Sequence, residues 1–271
     1  MSPGVTRRSA ALSSGGMTGV LAVGVGVLAA QARTAKRAIG PQTVVPPYQD
    51  GRFGPGTGTS LRLALIGDSV AAGLGADSAA DTVAGVLVRG VAEASRRPVT
   101  MTNHAVVGAR SSDLERQVTR CLTARPHAAV IIVGANDVTH LVPQALAVHR
   151  LETAIDRLVG AGTAVVVGTC PDLGTIRPVG PPLRWVAREW SRSLARAQRR
   201  TSIRAGATTV NLYGLLGPEF TANAEAFFGP DRFHPSGIGY RRIGAIILPS
   251  VLEAMGLEPS GARRAITAGP T

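Results

Sequence analysis

Leu63-Ala-Leu-Ile-Gly-Asp-Ser-Val-Ala-Ala-Gly73 is an apolar run that stops at a glycine and continues with an acid, a serine and small residues. A run of this length reads as a buried strand, and Gly67 marks where it ends. Ser69 therefore sits on the turn leaving a strand, where open α/β sheets bind ligands. A serine hydroxyl is a poor nucleophile by itself and needs a base within hydrogen-bond reach. The rest of the chain must supply a histidine, a group to orient it and donors for an oxyanion.

The histidine and its partner are found near the far end, in Pro230-Asp-Arg-Phe-His-Pro-Ser-Gly-Ile-Gly239. Asp231 and His234 are three apart. Pro235 biases His234 toward extended backbone and suits the first turn of the apolar segment Ile238 to Leu252. Both side chains then lie on a short constrained loop entering a helix. A carboxylate there can hold the imidazole in one tautomer while the other ring nitrogen faces a serine. Alone, Asp-x-x-His-Pro fits a helix-capping loop equally well.

Two further segments fit the catalytic reading. Ala128-Ala-Val-Ile-Ile-Val-Gly-Ala-Asn-Asp137 is a second buried strand followed by Asn136, whose amide suits an oxyanion. Asn136 or Asp137 could instead be an N-cap. Val99 to Ser112 contains another strand ending at Gly108, where the missing side chain would let a backbone N–H approach a ligand. A plain turn glycine is the alternative there.

Gly67-Asp-Ser69, Gly108, Gly134-Ala-Asn-Asp137 and Asp231-x-x-His234, in that order, resemble the blocks of the SGNH (GDSL-type) hydrolase superfamily across roughly residues 61 to 255. One departure is Val70, where the block more often carries leucine; it is a packing change. The resemblance implies a serine hydrolase that cleaves carboxylic esters through an acyl-enzyme. Ser69, Asp231 and His234 would be catalytic. The backbone N–H groups of Ser69 and Gly108 and the Asn136 amide would form the oxyanion hole. No metal or organic cofactor is implied, and the expected partner is a small-molecule or lipid ester. An acyltransferase acting on a sugar or lipid hydroxyl, or a catalytically silent binding module, would use the same scaffold.

The periodicity predicts five strands near 61–67, 99–106, 128–134, 164–169 and 208–213. Helices are expected near 79–95, 111–123, 144–160 and 184–205. Strands alternating with helices indicate an α/β fold, a parallel sheet with helices on both faces. The resemblance adds the flavodoxin-like strand order 2-1-3-4-5. Dinucleotide binding is excluded on pattern, because Gly-x-Gly-x-x-Gly fails from Gly67 and from Gly73 and no Gly-x-x-x-x-Gly-Lys occurs. The common nucleophile elbow Gly-x-Ser-x-Gly fails too, since Ala71 stands at its last position.

At 271 residues, the chain suits one domain with extensions. Hydrophobic residues make up 45% and aromatics only 4%, so the core is built mainly from Ala, Val, Leu and Ile. The net charge is +12, and every basic residue except Lys36 is arginine. These arginines are scattered and match no nucleic-acid module, so nucleic acid is not an expected partner.

Residues 1–40 carry Arg7, Arg8, Arg33, Lys36 and Arg37 and no acid. Met17 to Ala32 is apolar apart from Thr18 and Gln31. Its length fits a signal-peptide core with Ala30-Gln-Ala32 as a small-x-small cleavage site. Counted back through Ala10 it reaches the length of a membrane anchor. The expected location is membrane-associated or secreted with an extracytoplasmic catalytic domain. A cytoplasmic-facing orientation is the alternative, because cations flank both sides. Residues 41–60 read as a Pro/Gly linker and 256–271 as a disordered tail.

Cys121 and Cys170 are expected to fall at opposite edges of the sheet and to stay unpaired. His104, His127, His140 and His149 are scattered structural or surface residues. Asp172, after another strand, is a second candidate to orient His234. Trp185 and Trp190, five apart on a helix, read as packing residues.

Overall fold

The computed structural model describes residues 13–40, 44–48 and 50–257. The strands are β1 (Gly51–Phe53), β2 (Leu61–Gly67), β3 (Val99–Asn103), β4 (Ala128–Ile132), β5 (Ala164–Gly168) and β6 (Thr208–Val210). The helices are α1 (Ser13–Ile39), α2 (Ser69–Ala72), α3 (Val83–Ser95), α4 (Leu114–Thr123), α5 (Ala135–Thr139), α6 (Gln144–Gly160), α7 (Leu183–Arg204), α8 (Leu212–Ala222), α9 (Ala224–Phe227) and α10 (Gly237–Ala254).

The sheet order is β1-β3-β2-β4-β5-β6, with every neighbouring pair parallel except β1 with β3. The five parallel strands thus run in the expected 2-1-3-4-5 order. The sixth strand corrects the expectation of five. Gly51–Phe53, inside the segment read as linker, pairs antiparallel with β3 and closes that edge. Three residues flanked by Gly and Pro carry too little apolar periodicity to be seen in sequence.

Strand alternation explains the layers. Leu63 and Leu65 of β2 point to one face, where they pack with Val83, Leu87 and Val91 of α3 and with Ile243, Ile247 and Val251 of α10. Ala64 and Ile66 point to the other, against Leu114 and Val118 of α4 and Leu151, Ile155 and Leu158 of α6. Both faces are covered, which is why the central strands β2, β4 and β5 read as nearly continuous apolar runs, while β3 and β6, nearer the sheet edges, keep polar residues. Cys121 and Cys170 are both buried and free.

One other reading changes. Trp185 and Trp190 do not pack in the core; they are 64% and 47% exposed on the first half of α7. The buried face of that helix is made instead by Ser191, Leu194, Ala195 and Gln198. At the N-terminus, α1 is continuous from Ser13 to Ile39, and among the described residues no helix is long and apolar enough to cross a membrane. Arg7, Arg8 and the tail from 258 onward lie outside the described residues.

Candidate active site

The turn that carries Ser69 is set by Gly67. Its φ is +144°, and a Cβ there would lie 1.8 Å from the Ile132 carbonyl oxygen. Only glycine allows β2 to approach β4 this closely. The next residue, Asp68, donates its N–H to Ile132 O at 3.1 Å, and its carboxylate caps α2 by accepting the Val70 N–H at 2.9 Å. Ser69 is therefore the first residue of α2, held at the carboxyl end of the central strand.

The loop that precedes α10 supplies the other two groups. His234 Nε2 lies 3.1 Å from Ser69 Oγ, and His234 Nδ1 lies 2.6 Å from Asp231 Oδ2. Asp231 Oδ1 accepts the backbone N–H groups of Phe233 and His234, each at 2.9 Å. Burial pushes the Asp231 carboxyl up, but the His234 ring and the two N–H groups outweigh it and hold it below the usual carboxylate range. His234 is buried, with the Phe233 ring edge-on to it at 4.7 Å between centroids. The structure thus brings Ser69, His234 and Asp231 into one hydrogen-bonded chain.

Asp172 is not part of it. Its carboxylate accepts the Gly174 N–H at 2.8 Å and pairs with Arg188 Nε at 3.3 Å, while lining a cavity that Ser69 and His234 also line. Cys170, nearby, is a poor nucleophile. Burial, reinforced by the carboxylates of Asp68, Asp137 and Asp172, pushes its thiol well above its ordinary range.

Asn136 lines the cavity beside Ser69 and His234. It is not an N-cap, since Gly134 holds that position in α5. One amide N–H of Asn136 is donated to Ala109 O at 3.1 Å, which fixes the amide plane and leaves the second N–H for a ligand. Gly108 is exposed, on a turn closed by Ala109 N–H to Val106 O at 3.0 Å, with a φ of +81° that favours glycine. Its loop is tied to β2 through Val106 N–H to Gly67 O at 3.1 Å.

Several buried polar groups escaped the sequence reading. Asp137 accepts the Ser111 N–H at 3.0 and 3.1 Å and the Ser111 hydroxyl at 2.6 Å, joining the Gly108 loop to the Asn136 turn. The Gln117 amide both donates to Gly67 O and accepts Gly67 N–H, at 2.9 and 2.8 Å. Gln198 does the same for Val133 O and Cys170 N–H, at 2.9 and 2.7 Å. The Tyr240 hydroxyl donates to Leu74 O at 2.7 Å, just past the turn that carries Ser69. The available signal was a lone polar residue inside an apolar helical stripe, as Gln117 is between Leu114, Val118 and Cys121.

Beside the Ser69–His234 pair is a small cavity of about 60 Å³. Its walls are mostly apolar and include Ile132, Leu173, Ile176, Leu216, Phe220 and Phe228. A serine hydroxyl hydrogen-bonded to an imidazole, with a side-chain amide beside a mostly apolar pocket, is an arrangement that can hold an acyl group and cleave its ester.

The sequence pattern of the GDSL-like lipase/acylhydrolase family matches residues 65–242. A GDSL-like esterase of Mycobacterium tuberculosis is 36% identical over 241 residues, covering 84% of this chain and 77% of the relative. Among solved structures, a lipase/acylhydrolase from Enterococcus faecalis is similar with a TM-score of 0.57 and 24% identity, over 74% of this chain and 98% of that one. An acetylxylan esterase from Geobacillus stearothermophilus, solved as a catalytic mutant, gives a TM-score of 0.57 and 16% identity, over 74% and 97%. The two structural likenesses concern the fold. The chain belongs to the GDSL-like lipase/acylhydrolase family and is a carboxylic ester hydrolase.

Proposed function

We propose that this esterase works through a Ser69 acyl-enzyme and takes short acyl groups. Ser69 Oγ attacks the ester carbonyl while His234 Nε2 accepts its proton. The backbone N–H groups of Ser69 and Gly108 and the free N–H of Asn136 receive the oxyanion. His234 then protonates the leaving alcohol, and the carbonyl re-forms as the acyl-Ser69 ester. Water attacks that ester with His234 again as base, releasing the acid and restoring Ser69. Asp231 keeps Nδ1 protonated and stabilises the imidazolium.

The observation that supports this reading is the continuous chain from Asp231 through His234 to Ser69, at 2.6 and 3.1 Å. The chain-length assignment rests on the small, mostly apolar cavity beside Ser69, whose lining includes Leu216 and Phe220. Leu216→Ala and Phe220→Ala, which enlarge it, should shift the preference to longer chains. The test is a series of nitrophenyl esters from acetate to laurate. Turnover should be highest for the shortest members. A wild-type preference for laurate would reject the chain-length assignment without touching the acyl-enzyme mechanism.

A further inference from the structure

We propose that α1 lies on an anionic lipid surface and fixes that surface next to the wall of the acyl cavity. The proposal is independent of how the ester is cleaved. It starts from the two faces of α1. Leu28, Gln31, Ala35 and Ile39, at spacings of three and four, form a stripe of its second half that is half-buried or buried, as is Ala29 beside it, and Ala35 is 5% exposed. Gln31 holds this stripe on the catalytic domain. Its Nε2 donates to Pro181 O at 2.6 Å, and its Oε1 accepts the Leu183 N–H at 3.1 Å. Ala35 joins the same apolar cluster as Ile176, Val179 and Leu183. Ile176 in turn lines the cavity beside Ser69. The loop that α1 grips is thus the loop that walls the site.

The opposite stripe faces outward and has no partner among the described residues. It carries Val27, 42% exposed, and the exposed residues Ala30, Arg33 and Arg37, with Lys36 beside them. Arg33, Lys36 and Arg37 make no ion pair among the described residues. No acidic residue precedes Asp50. Trp185, two residues past the Leu183 that Gln31 holds, is 64% exposed. Apolar surface, an exposed tryptophan and a cluster of unopposed cations are the composition of a helix lying in a bilayer interface. The sign of the charge selects anionic headgroups, since each cation near such a surface adds attraction while zwitterionic lipid offers none.

The test is co-sedimentation of the full chain with vesicles of phosphatidylcholine alone or mixed with phosphatidylglycerol. Binding is expected to the mixed vesicles and to weaken with added salt. A combined Arg33→Ala, Lys36→Ala, Arg37→Ala variant should bind on the order of 10²-fold more weakly. Trp185→Ala should also weaken it, and on Trp190→Phe the remaining Trp185 emission should shift to the blue with mixed vesicles. All these variants should hydrolyse a soluble ester at the wild-type rate, which shows that they fold. Three results would overturn the proposal: no binding to mixed vesicles, equal binding to both vesicle types, or wild-type binding by the triple variant. Self-association through Trp185 without vesicle binding would assign this face to a second copy instead.

Discussion

Asp231 meets His234 Nδ1 at 2.6 Å through one carboxylate oxygen, while the other oxygen accepts the N–H groups of Phe233 and His234 at 2.9 Å. The acid therefore fixes both the ring and the loop that carries it. Asp231→Asn preserves an acceptor for the two N–H groups but favours the wrong imidazole tautomer. Turnover should fall by roughly 10⁴-fold, as in the serine-protease template. Asp172→Asn, which disturbs only the Arg188 pair and the Gly174 turn, should lose far less. Steady-state rates of the two variants on a soluble ester check this. A crippled Asp172→Asn beside an active Asp231→Asn would reverse the assignment.

Asn136→Ala should fold and lose about 10²–10³-fold in kcat, the usual contribution of one oxyanion donor. KM should change little, because the amide acts on charge that develops after binding. A loss confined to KM would mean that Asn136 merely holds substrate.

The carboxylate of Asp137 grips Ser111 through three hydrogen bonds and so sets the distance between the Gly108 loop and Asn136. Ser111→Ala removes the hydroxyl but leaves the N–H contact, and should cost about 1 kcal/mol of stability with kcat nearly retained. Asp137→Ala frees the loop altogether and should lower kcat alongside the stability loss. Melting curves and rates on the same preparations separate the two effects. An Asp137→Ala enzyme that is less stable yet fully active would make the residue purely structural.

Burial raises the Asp68 carboxyl from its ordinary value to about 7, with the nearby Asp137 charge adding to the rise. Between the unfolded value, about 4, and 7, the folded chain keeps a proton that the unfolded chain releases. The Asp68 contribution to stability is therefore complete below that window and is lost as pH rises through 7. Asp68→Asn keeps an acceptor for the Val70 N–H and cannot ionise. Its melting temperature relative to wild type should rise between pH 4.5 and pH 8. A difference that stays constant or shrinks over that range would contradict a protonated Asp68.

Most of the fold was legible because the central strands β2, β4 and β5 are buried, nearly continuous apolar runs and the helices between the strands have clear apolar stripes. α6 spans Gln144–Gly160, matching its expected limits, and α7 begins one residue earlier than expected. β1 was invisible, since three residues inside a Pro/Gly segment pair only because β3 offers an open edge. In the site, Ser69, Asp231 and His234 could be named because each sits in a short motif at a strand or helix end. The supports could not. Gln117, Gln198 and Tyr240 act through backbone groups far away in sequence, and nothing local marks which buried polar residue will reach them. The tryptophans misled for a related reason. Average burial favours the core, but the buried stripe of α7 runs through Leu194 and Gln198.

The most direct test of the account is covalent capture of the nucleophile. The wild-type chain should react with a short alkyl phosphonate ester, losing activity as one adduct forms. Peptide mass spectrometry should find that adduct on Ser69. The Ser69→Ala chain should melt like wild type, take up no adduct and show turnover reduced on the order of 10⁶-fold. An adduct on any other residue, or near wild-type turnover by purified Ser69→Ala, would contradict the assignment of Ser69 as nucleophile.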